Sequence, residues 1–475
     1  MTWEIVMGLE IHAELSTKTK IFCNCANTYG TEPNTLVCPV CSGMPGTLPK
    51  LNREVVAYAL KTGLALNCSI TKNNKFDRKN YFYPDLPKAY QISQLYEPIC
   101  RNGHLEIDID GQKKKINIRE IHIEEDAGKL THDTLSGKTF MDFNRCGVPL
   151  LEIVSEPDLR TADEVIAYLE KLRETLLFLG VCDCKMQEGS MRADVNLSVR
   201  KAGAKEFGTR TEMKNLNSFK AISRAIKFEA ARQIEILENG GEITQETRRW
   251  DDDKCKSYGM RSKENAQDYR YFPEPDLLPI EISDEWLAKV KSELPELACE
   301  KRKRYTEKFG ICESEAAVLT AHKNISALFE ELCQNCANPP EAAHLITGEI
   351  MRLMNDKNIL PENLSIDTNK LSALIALVGS GKINRSAFRE AVEAVFTSDV
   401  NPETYILERG LMILDDDSAV SSAIDEVLQE FADDFADFRA GKEKVFGFLM
   451  GKIMKKLNGR GNPDVVRKLL LGKVC

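Results

Sequence analysis

Two sets of residues in this 475-residue sequence could do chemistry. Cys23-Asn-Cys25 and Cys38-Pro-Val-Cys41 are close pairs separated by 12 residues, in stretches rich in Asn, Pro and Gly. Four thiolates at this spacing suit a closed, tetrahedral structural Zn2+ site; the alternative is four incidental thiols. The second set is acidic. Glu10 and His12 alternate in MTWEIVMGLEIHAEL, and Glu120, His122 and Glu124, followed by Glu125 and Asp126, in INIREIHIEEDAGK. Glu152 interrupts the apolar run VPLLEIVSEPD, Arg192, Asp194 and Asn196 alternate in SMRADVNLSVRK, and Arg210, Glu212 and Lys214 in TRTEMKNLNSF. Hard divalent cations take oxygen ligands, and Mg2+ typically uses one or two carboxylates with substrate phosphates. Interleaved Arg and Lys can neutralise a phosphoryl group in transfer. The alternative is a wet sheet face with ordinary cross-strand ion pairs.

These residues need strands to position them. In the opening segment Trp3, Ile5, Met7, Leu9 and Ile11 form an apolar face, and Glu4, Val6, Gly8, Glu10, His12 and Glu14 the other. Strict alternation predicts a strand buried on one side, and the other four segments read the same way. A lone carboxylate such as Glu152 in an apolar strand is costly to bury without a partner. Helices punctuate the strands. Thr161-Ala-Asp-Glu164 predicts a capping box for a helix ending near Gly180. A second helix is expected over about 218–238, stopped by Asn239-Gly240-Gly241. Ser283-Asp-Glu predicts a helix that opens an almost wholly helical second half, with a hinge at Ser398–Pro402 before a last small unit.

Composition sets the class. The chain is 43% hydrophobic and 29% charged, with material for two to four domains. It has no apolar run of about 18 residues and no basic-then-apolar leader, so neither membrane span nor secretory signal is expected. Fifteen scattered cysteines read as reduced thiols of a cytoplasmic protein. The net charge of −9 argues against a surface that coats nucleic acid throughout. Locally the balance reverses: residues 411–440 carry nine acidic side chains against Arg439, whereas 441–475 carry nine basic ones against Glu443 and Asp464. The last 35 residues are thus the candidate for phosphate-backbone contact, or simply a solvated face. Gly379-Ser-Gly-Lys382 is no P-loop, since Ile383 follows the lysine and the first glycine is misplaced. Cys333-Gln-Asn-Cys336, at a helix end, reads as packing. With no Gly-x-Ser-x-Gly elbow either, an ATP site here has to be built from a sheet and metals.

Nine motifs then occur in one order: MGLEIHAEL, VCPVCSGMPGTLPKLN, FDRKNYFYPDLPKAYQISQ, IHIEEDAGK, VPLLEIVSEPDL, EGSMRADVNLSVR, TEMKNLNSF, QETRRWDDD and DYRYFPEPDLLP. Together with FGFLMGKIMKKLNGRGNPDVV near the end, this series closely resembles the GatB family, the B subunits of tRNA-dependent amidotransferases. The resemblance implies an α+β fold: an antiparallel-sheet catalytic domain like glutamine synthetase (1–292), a helical domain (293–405) and a helical tRNA-binding tail (406–475). It implies ATP- and Mg2+-dependent phosphorylation of the side-chain carboxylate of Glu-tRNA(Gln) or Asp-tRNA(Asn). Ammonia from a partner amidase, the A component of a heterotrimer, then completes the amide, with a small third component, C, wrapping the pair. The family's metal ligands fall on Glu10, His12, Glu124, Glu125, Glu152 and Glu212. Lys79 and Lys88, with Tyr81 and Tyr83, match the ammonia passage, and Arg192, Asp194, Asn196 and Lys214 are expected to touch phosphate or nucleotide. Cys23, Cys25, Cys38 and Cys41 match a zinc knuckle. The tail's Lys452, Lys455, Lys456, Arg460, Arg467 and Lys468 are expected to meet tRNA. Two rivals stand beside this reading: a ligase acting on free amino acid and a non-catalytic tRNA-binding protein of a larger assembly. Cys146, where a small residue is usual, and His344-Leu345, where Asn-Trp is expected, depart from the pattern.

Overall fold

The computed structural model describes residues 2–133, 135–262, 269–336, 338–413, 417–439, 442, 444–457 and 460–473. Asn458 and Gly459 of the tail motif lie outside these. The chain is a mixed α/β protein that divides into two compact units, Met1–Leu297 and Ala298–Cys475.

Unit 1 is built on a nine-stranded sheet. Its strands are β1 (Trp3–Glu14), β2 (Ser69–Ile70), β3 (Cys100–Ile109), β4 (Gln112–Glu125), β5 (Pro149–Ser155), β6 (Met191–Lys201), β7 (Thr211–Lys214), β8 (Glu246–Asp251) and β9 (Lys256–Ser262). They lie in the order β9-β8-β7-β6-β1-β5-β4-β3-β2, so the first strand of the chain is near the middle. An antiparallel sheet was expected; one pair, β7 with β8, runs parallel. The helix Phe219–Glu238 lies between those strands in sequence and supplies the crossover that parallel pairing needs.

Alternation decides which face is buried. Met7, Leu9 and Ile11 of β1, Ile121 and Ile123 of β4, Ile153 of β5 and Val195 and Leu197 of β6 are at most 1% exposed. They share one core with helices α1 (Arg53–Ala65), α2 (Ala162–Leu179) and α3 (Phe219–Glu238). The α2 stripe Val165, Tyr168, Leu169, Leu172 and Leu176 recurs every three or four residues and is wholly buried. Each such side chain is worth about 1.5–3 kcal/mol of transfer free energy. Thr161 caps α2 through the Glu164 N–H, and Gly180 ends it at φ 69°, a left-handed angle glycine adopts without strain. The capping box is only half formed. The Glu164 carboxylate accepts from the Arg160 N–H and from Lys114 Nζ, a salt bridge that outcompetes the return bond to Thr161.

Helix α4 (Asp284–Ser292), expected to open the helical half, packs instead on unit 1: Val290 joins its core and Arg53 lies 4.8 Å from the Trp286 ring. Unit 2 is helical and holds two apolar clusters. The first runs from Tyr305 to Ile406 and the second from Val420 to Leu470. The expected hinge at 398–402 is a left-handed cap at Asp399 leading to a short helix, Pro402–Glu408, whose Ile406 still belongs to the first cluster. Gly379 ends a helix, and Gly381 turns the chain at φ 71°. Cys333 and Cys336 pack against the first cluster. His344, one of the departures, pairs with Glu315 at 2.5 Å, and Leu345 begins a π-helical turn over Leu345–Ile350. No helix among the described residues is long and apolar enough to cross a membrane.

A candidate active site on the polar face of the sheet

Strand register builds this site. His122, Glu152, His12 and Arg192 are successive neighbours across β4, β5, β1 and β6. Directly opposed residues share a face, so one row of the polar face carries two imidazoles, a carboxylate and a guanidinium. The next row carries Glu120, Val154, Glu10 and Asp194, with Lys214 donating to Asp194 at 2.5 Å.

His12 is the hub. Its Nε2 lies 3.4 Å from Glu124, 3.7 Å from Glu152 and 4.0 Å from Glu10. Burial opposes a charge on His12, but the Glu124 hydrogen bond and the Glu152, Glu124 and Glu10 carboxylates raise its pKa. Glu124 is itself buried, yet the His12 hydrogen bond and the His12 and Lys79 charges hold its pKa below the usual range. Burial and the charges of Glu124 and Glu10 raise that of Glu152. A crowd of carboxylates that pushes one member's pKa up is an arrangement that a cation relieves. His12, Glu124 and Glu152 form one compact donor group, and Glu10, His12 and Asp194 another that shares the imidazole. Four carboxylates and one imidazole therefore fit a hard divalent cation such as Mg2+.

Two residues expected here go elsewhere. Glu125 follows Glu124 in a strand and so points to the opposite face; Lys88 Nζ donates to it, as does the Ile92 N–H at 2.9 Å. Glu212 lies one strand beyond Asp194, opposite Asn196, where it accepts from Thr247 at 2.8 Å and meets Lys214 at 3.3 Å. Asp194, expected among the nucleotide contacts, joins the metal-capable donors instead. Register brings it there, which alternation along one strand does not show.

Lys79 faces the cluster. Burial lowers the pKa of its ammonium, but Glu124, Tyr271 and Glu152 outweigh that and raise it. Its Nζ sits 5.2 Å from the Tyr269 ring centre and 5.8 Å from that of Tyr81. Tyr81 packs edge-on to Tyr269, whereas Tyr83 is exposed. Sequence reasoning does not find Tyr269 and Tyr271, 190 residues on, nor the role of Asp126. The Asp126 carboxylate takes Arg192 at 2.8 Å and Arg145 at 3.4 Å, fixing the guanidinium at the end of the His12 row. Asn196, one residue pair down β6, has a buried Oδ1 with no hydrogen-bond partner among the described residues.

The cysteine quartet closes on itself. All four Sγ atoms lie within 4.8 Å of one another, and those of Cys38 and Cys41 are 3.8 Å apart. Zn–S bonds of about 2.3 Å in a tetrahedron put sulfurs about 3.8 Å apart, so these thiols fit zinc. The Cys23 thiol, the Cys38 N–H and Lys20 lower the pKa of the Cys41 thiol against its burial. Spacing gives no sign of Lys20: it is fully buried, with Nζ 2.8 Å from the Leu36 carbonyl and 3.6 Å from Cys41 Sγ.

In the tail the six basic candidates divide. Lys456 pairs with Glu426 at 2.7 Å, Arg460 donates to the Gly410 carbonyl at 3.1 Å, and Lys452 and Arg467 lie over Phe431 and Phe446. Lys455 and Lys468 are exposed.

Comparison with known proteins gives a consistent result. Residues 5–288 match the family described as the GatB/GatE catalytic domain, and residues 327–474 the family described as the GatB domain. The chain is 56% identical over 468 residues to the B subunit of the aspartyl/glutamyl-tRNA(Asn/Gln) amidotransferase of Lachnoclostridium phytofermentans, covering 98% of each. Proteins of the same name from Caldicellulosiruptor bescii and Carboxydothermus hydrogenoformans are 52% and 48% identical to it. Those alignments cover 99% and 100% of this chain and 98% and 99% of those proteins.

Proposed function

The chain belongs to the GatB family, and we propose that the group around His12 is where the side chain of a mischarged tRNA is phosphorylated. It is the B subunit of a tRNA-dependent amidotransferase, a glutamine-dependent ligase. One observation carries the site assignment: three carboxylates lie within 4.0 Å of one imidazole nitrogen, on a face flanked by Lys79, Arg192 and Lys214.

The reaction proceeds in two displacements. A side-chain carboxylate oxygen of Glu-tRNA(Gln) or Asp-tRNA(Asn) attacks the γ-phosphorus of ATP, the bond to the bridging oxygen breaks, and ADP leaves. Ammonia then adds to the acyl carbon, gives up a proton and expels phosphate to leave the amide. Phosphoryl transfer needs positioning and compensation of charge more than covalent help. His12, Glu10, Glu124, Glu152 and Asp194 would hold Mg2+, which supplies positive charge to the phosphate oxygens. Lys79 and Lys214 add fixed positive charge at the edges, and Asp126 positions Arg192. Glu212 serves from its outer place by orienting Lys214, and Glu125 by orienting Lys88. Lys88 and Lys79, with Tyr81 and Tyr83, line the approach for ammonia released by the partner amidase, and the small third component completes the assembly.

The same reading gives residues 1–292 the catalytic role on a sheet like that of glutamine synthetase. Residues 293–405 are the helical domain, and 406–475 the tail that grips tRNA. The four thiols hold structural zinc. The test is ADP release by the assembled enzyme with Mg2+ and ATP but neither glutamine nor ammonia. Turnover that requires the mischarged tRNA supports the proposal. Equal turnover with free glutamate would favour a ligase on free amino acid, and none at all a non-catalytic tRNA-binding role.

A further inference from the structure

Lys20 has no exposed surface, and among the described residues no carboxylate lies within ion-pair distance of its Nζ. Lysine is almost never fully buried without a partner for its charge. An ammonium has three donors and no acceptor. Here Nζ lies 2.8 Å from the Leu36 carbonyl oxygen and 3.6 Å from Cys41 Sγ. The carbonyl is neutral, so of these two groups the sulfur is the one that can supply a counter-charge.

The same residue touches both cysteine pairs. Its backbone N–H donates to the Cys25 carbonyl at 3.0 Å, and its ammonium reaches Leu36, two residues before Cys38, and Cys41 itself. The Cys38 N–H also points at Cys41 Sγ, at 3.2 Å. The lysine stem and the Cys41 side chain lie against one wall: a Cβ on Gly147 would stand 3.7 Å from Lys20 Cδ and 3.4 Å from Cys41 Cβ. Cys41 is buried, whereas Cys23, Cys25 and Cys38 are half-buried, so Lys20 meets the group on its inner side.

Four thiolates around one Zn2+ leave two negative charges in excess, and burial makes that excess costly unless donors and cations compensate it. Resting on the reading of the four thiols as a zinc site, we infer that Lys20 is its positioning and charge-compensating residue, holding Cys41 in place and setting how tightly the loop keeps its metal. Groups that bond to a metal's ligands from outside typically change its affinity roughly 10–100-fold. An ammonium beside a thiolate also lowers the energy of the sulfur lone pairs. That effect belongs to the charge and not to packing, so it separates this role from a merely structural one.

The test uses the full chain with its partner subunits, and Zn2+ as the probe, titrated against a competing chelator. Lys20→Met, which keeps the stem and removes the charge, is expected to bind zinc roughly 10–100-fold less tightly. Its gap in melting temperature from the wild type should widen when zinc is added. With Co2+ in place of zinc, its sulfur-to-metal charge-transfer band should move to lower energy. Lys20→Gln, which keeps a donor without the charge, should fall between Lys20→Met and the wild type. A lysine that served only the fold would lower the melting temperature equally with and without zinc and leave affinity and band unchanged; that result would overturn the inference. Failure of both variants to fold with zinc supplied would overturn it too. A wild type that folds but holds no zinc would refute the reading of the four thiols, whereas zinc held equally tightly by the wild type and both variants would overturn this inference alone.

Discussion

Replacing Glu152 by Gln changes one charge at nearly constant shape. The carboxylate lies 3.7 Å from His12 Nε2 and is 14% exposed. A cation held by the two would lie no farther from the carboxylate than that, and at such a separation two unit charges in an effective dielectric of about 20 interact by about 4–5 kcal/mol. A glutamine oxygen keeps the negative end of a dipole at the same place, so the loss is smaller, about 3–4 kcal/mol. That corresponds to a fall of roughly 10²–10³ in turnover, the scale found on deleting one preorganised electrostatic contact. Stability moves differently. The repulsion that raises the pKa of Glu152, on top of its burial, comes from Glu124 and Glu10, and glutamine removes it. In EDTA the variant should therefore melt at or above the wild-type temperature, whereas added Mg2+ and ATP should stabilise the wild type more. The assay is ADP release with mischarged tRNA, beside tRNA binding and thermal melts in both buffers. Turnover close to wild type would refute the electrostatic argument. A lower melting temperature in EDTA together with lost tRNA binding would show that Glu152 holds the fold instead.

Metal analysis of the purified chain should find about one zinc, and Cys41→Ser should lose it and lower the melting temperature; a folded, zinc-free wild type would refute the knuckle. Glu229 is wholly buried, and Thr211, Arg232 and Gln233 all donate to its carboxylate. Burial raises its pKa, but Arg232, Gln233 and Thr211 hold it below the usual glutamate range. A depressed folded-state pKa stabilises above the unfolded value, and that stability is lost as pH falls through the folded one. Glu229→Gln should thus cost about 3 kcal/mol at neutral pH in urea titrations and flatten the loss of stability below about pH 4.5. In the tail, Lys455→Ala and Lys468→Ala should each lower the salt slope of tRNA binding by about 1. Arg460→Ala should chiefly lower stability, because its guanidinium bonds the Gly410 carbonyl; an equal effect on the slope would refute that division.

Local rules carried much of the fold. The alternation that predicts β1 covers all 12 of its residues, and Thr161, Gly180 and Ser218 cap α2 and α3 as their types suggest. What local rules miss is decided by distant contacts. Pairing β7 with β8 in parallel depends on where α3 packs. Whether α4 belongs with the sheet depends on which core Val290 meets, and an amphipathic stripe does not name its partner. Glu164 shows the same competition at one residue: its spacing from Thr161 predicts a return bond, and Lys114, 50 residues earlier, takes the carboxylate instead.

The site was legible as a set of faces but not as a set of neighbours. Period 2 says that His12 and Glu10 point together; only register says that Glu152 lies beside His12 on one flank and Arg192 on the other. Glu124 and Glu125 differ for the same reason. Adjacent carboxylates look like one bidentate feature in the sequence, yet a strand sends neighbours to opposite faces. Glu124 faces His12, while Glu125 takes Lys88 on the side where Cys23 and Cys41 line a small cavity with it. One strand end thus ties the acidic group to the cysteine loop through a single peptide unit. A disturbance of the loop that freed Lys88 would leave Glu125 buried without its charge partner, and any shift of that residue is carried directly to Glu124. Damage to the thiols should accordingly reach the His12 group through Glu125 and Glu124, the two carboxylates that this one peptide unit joins.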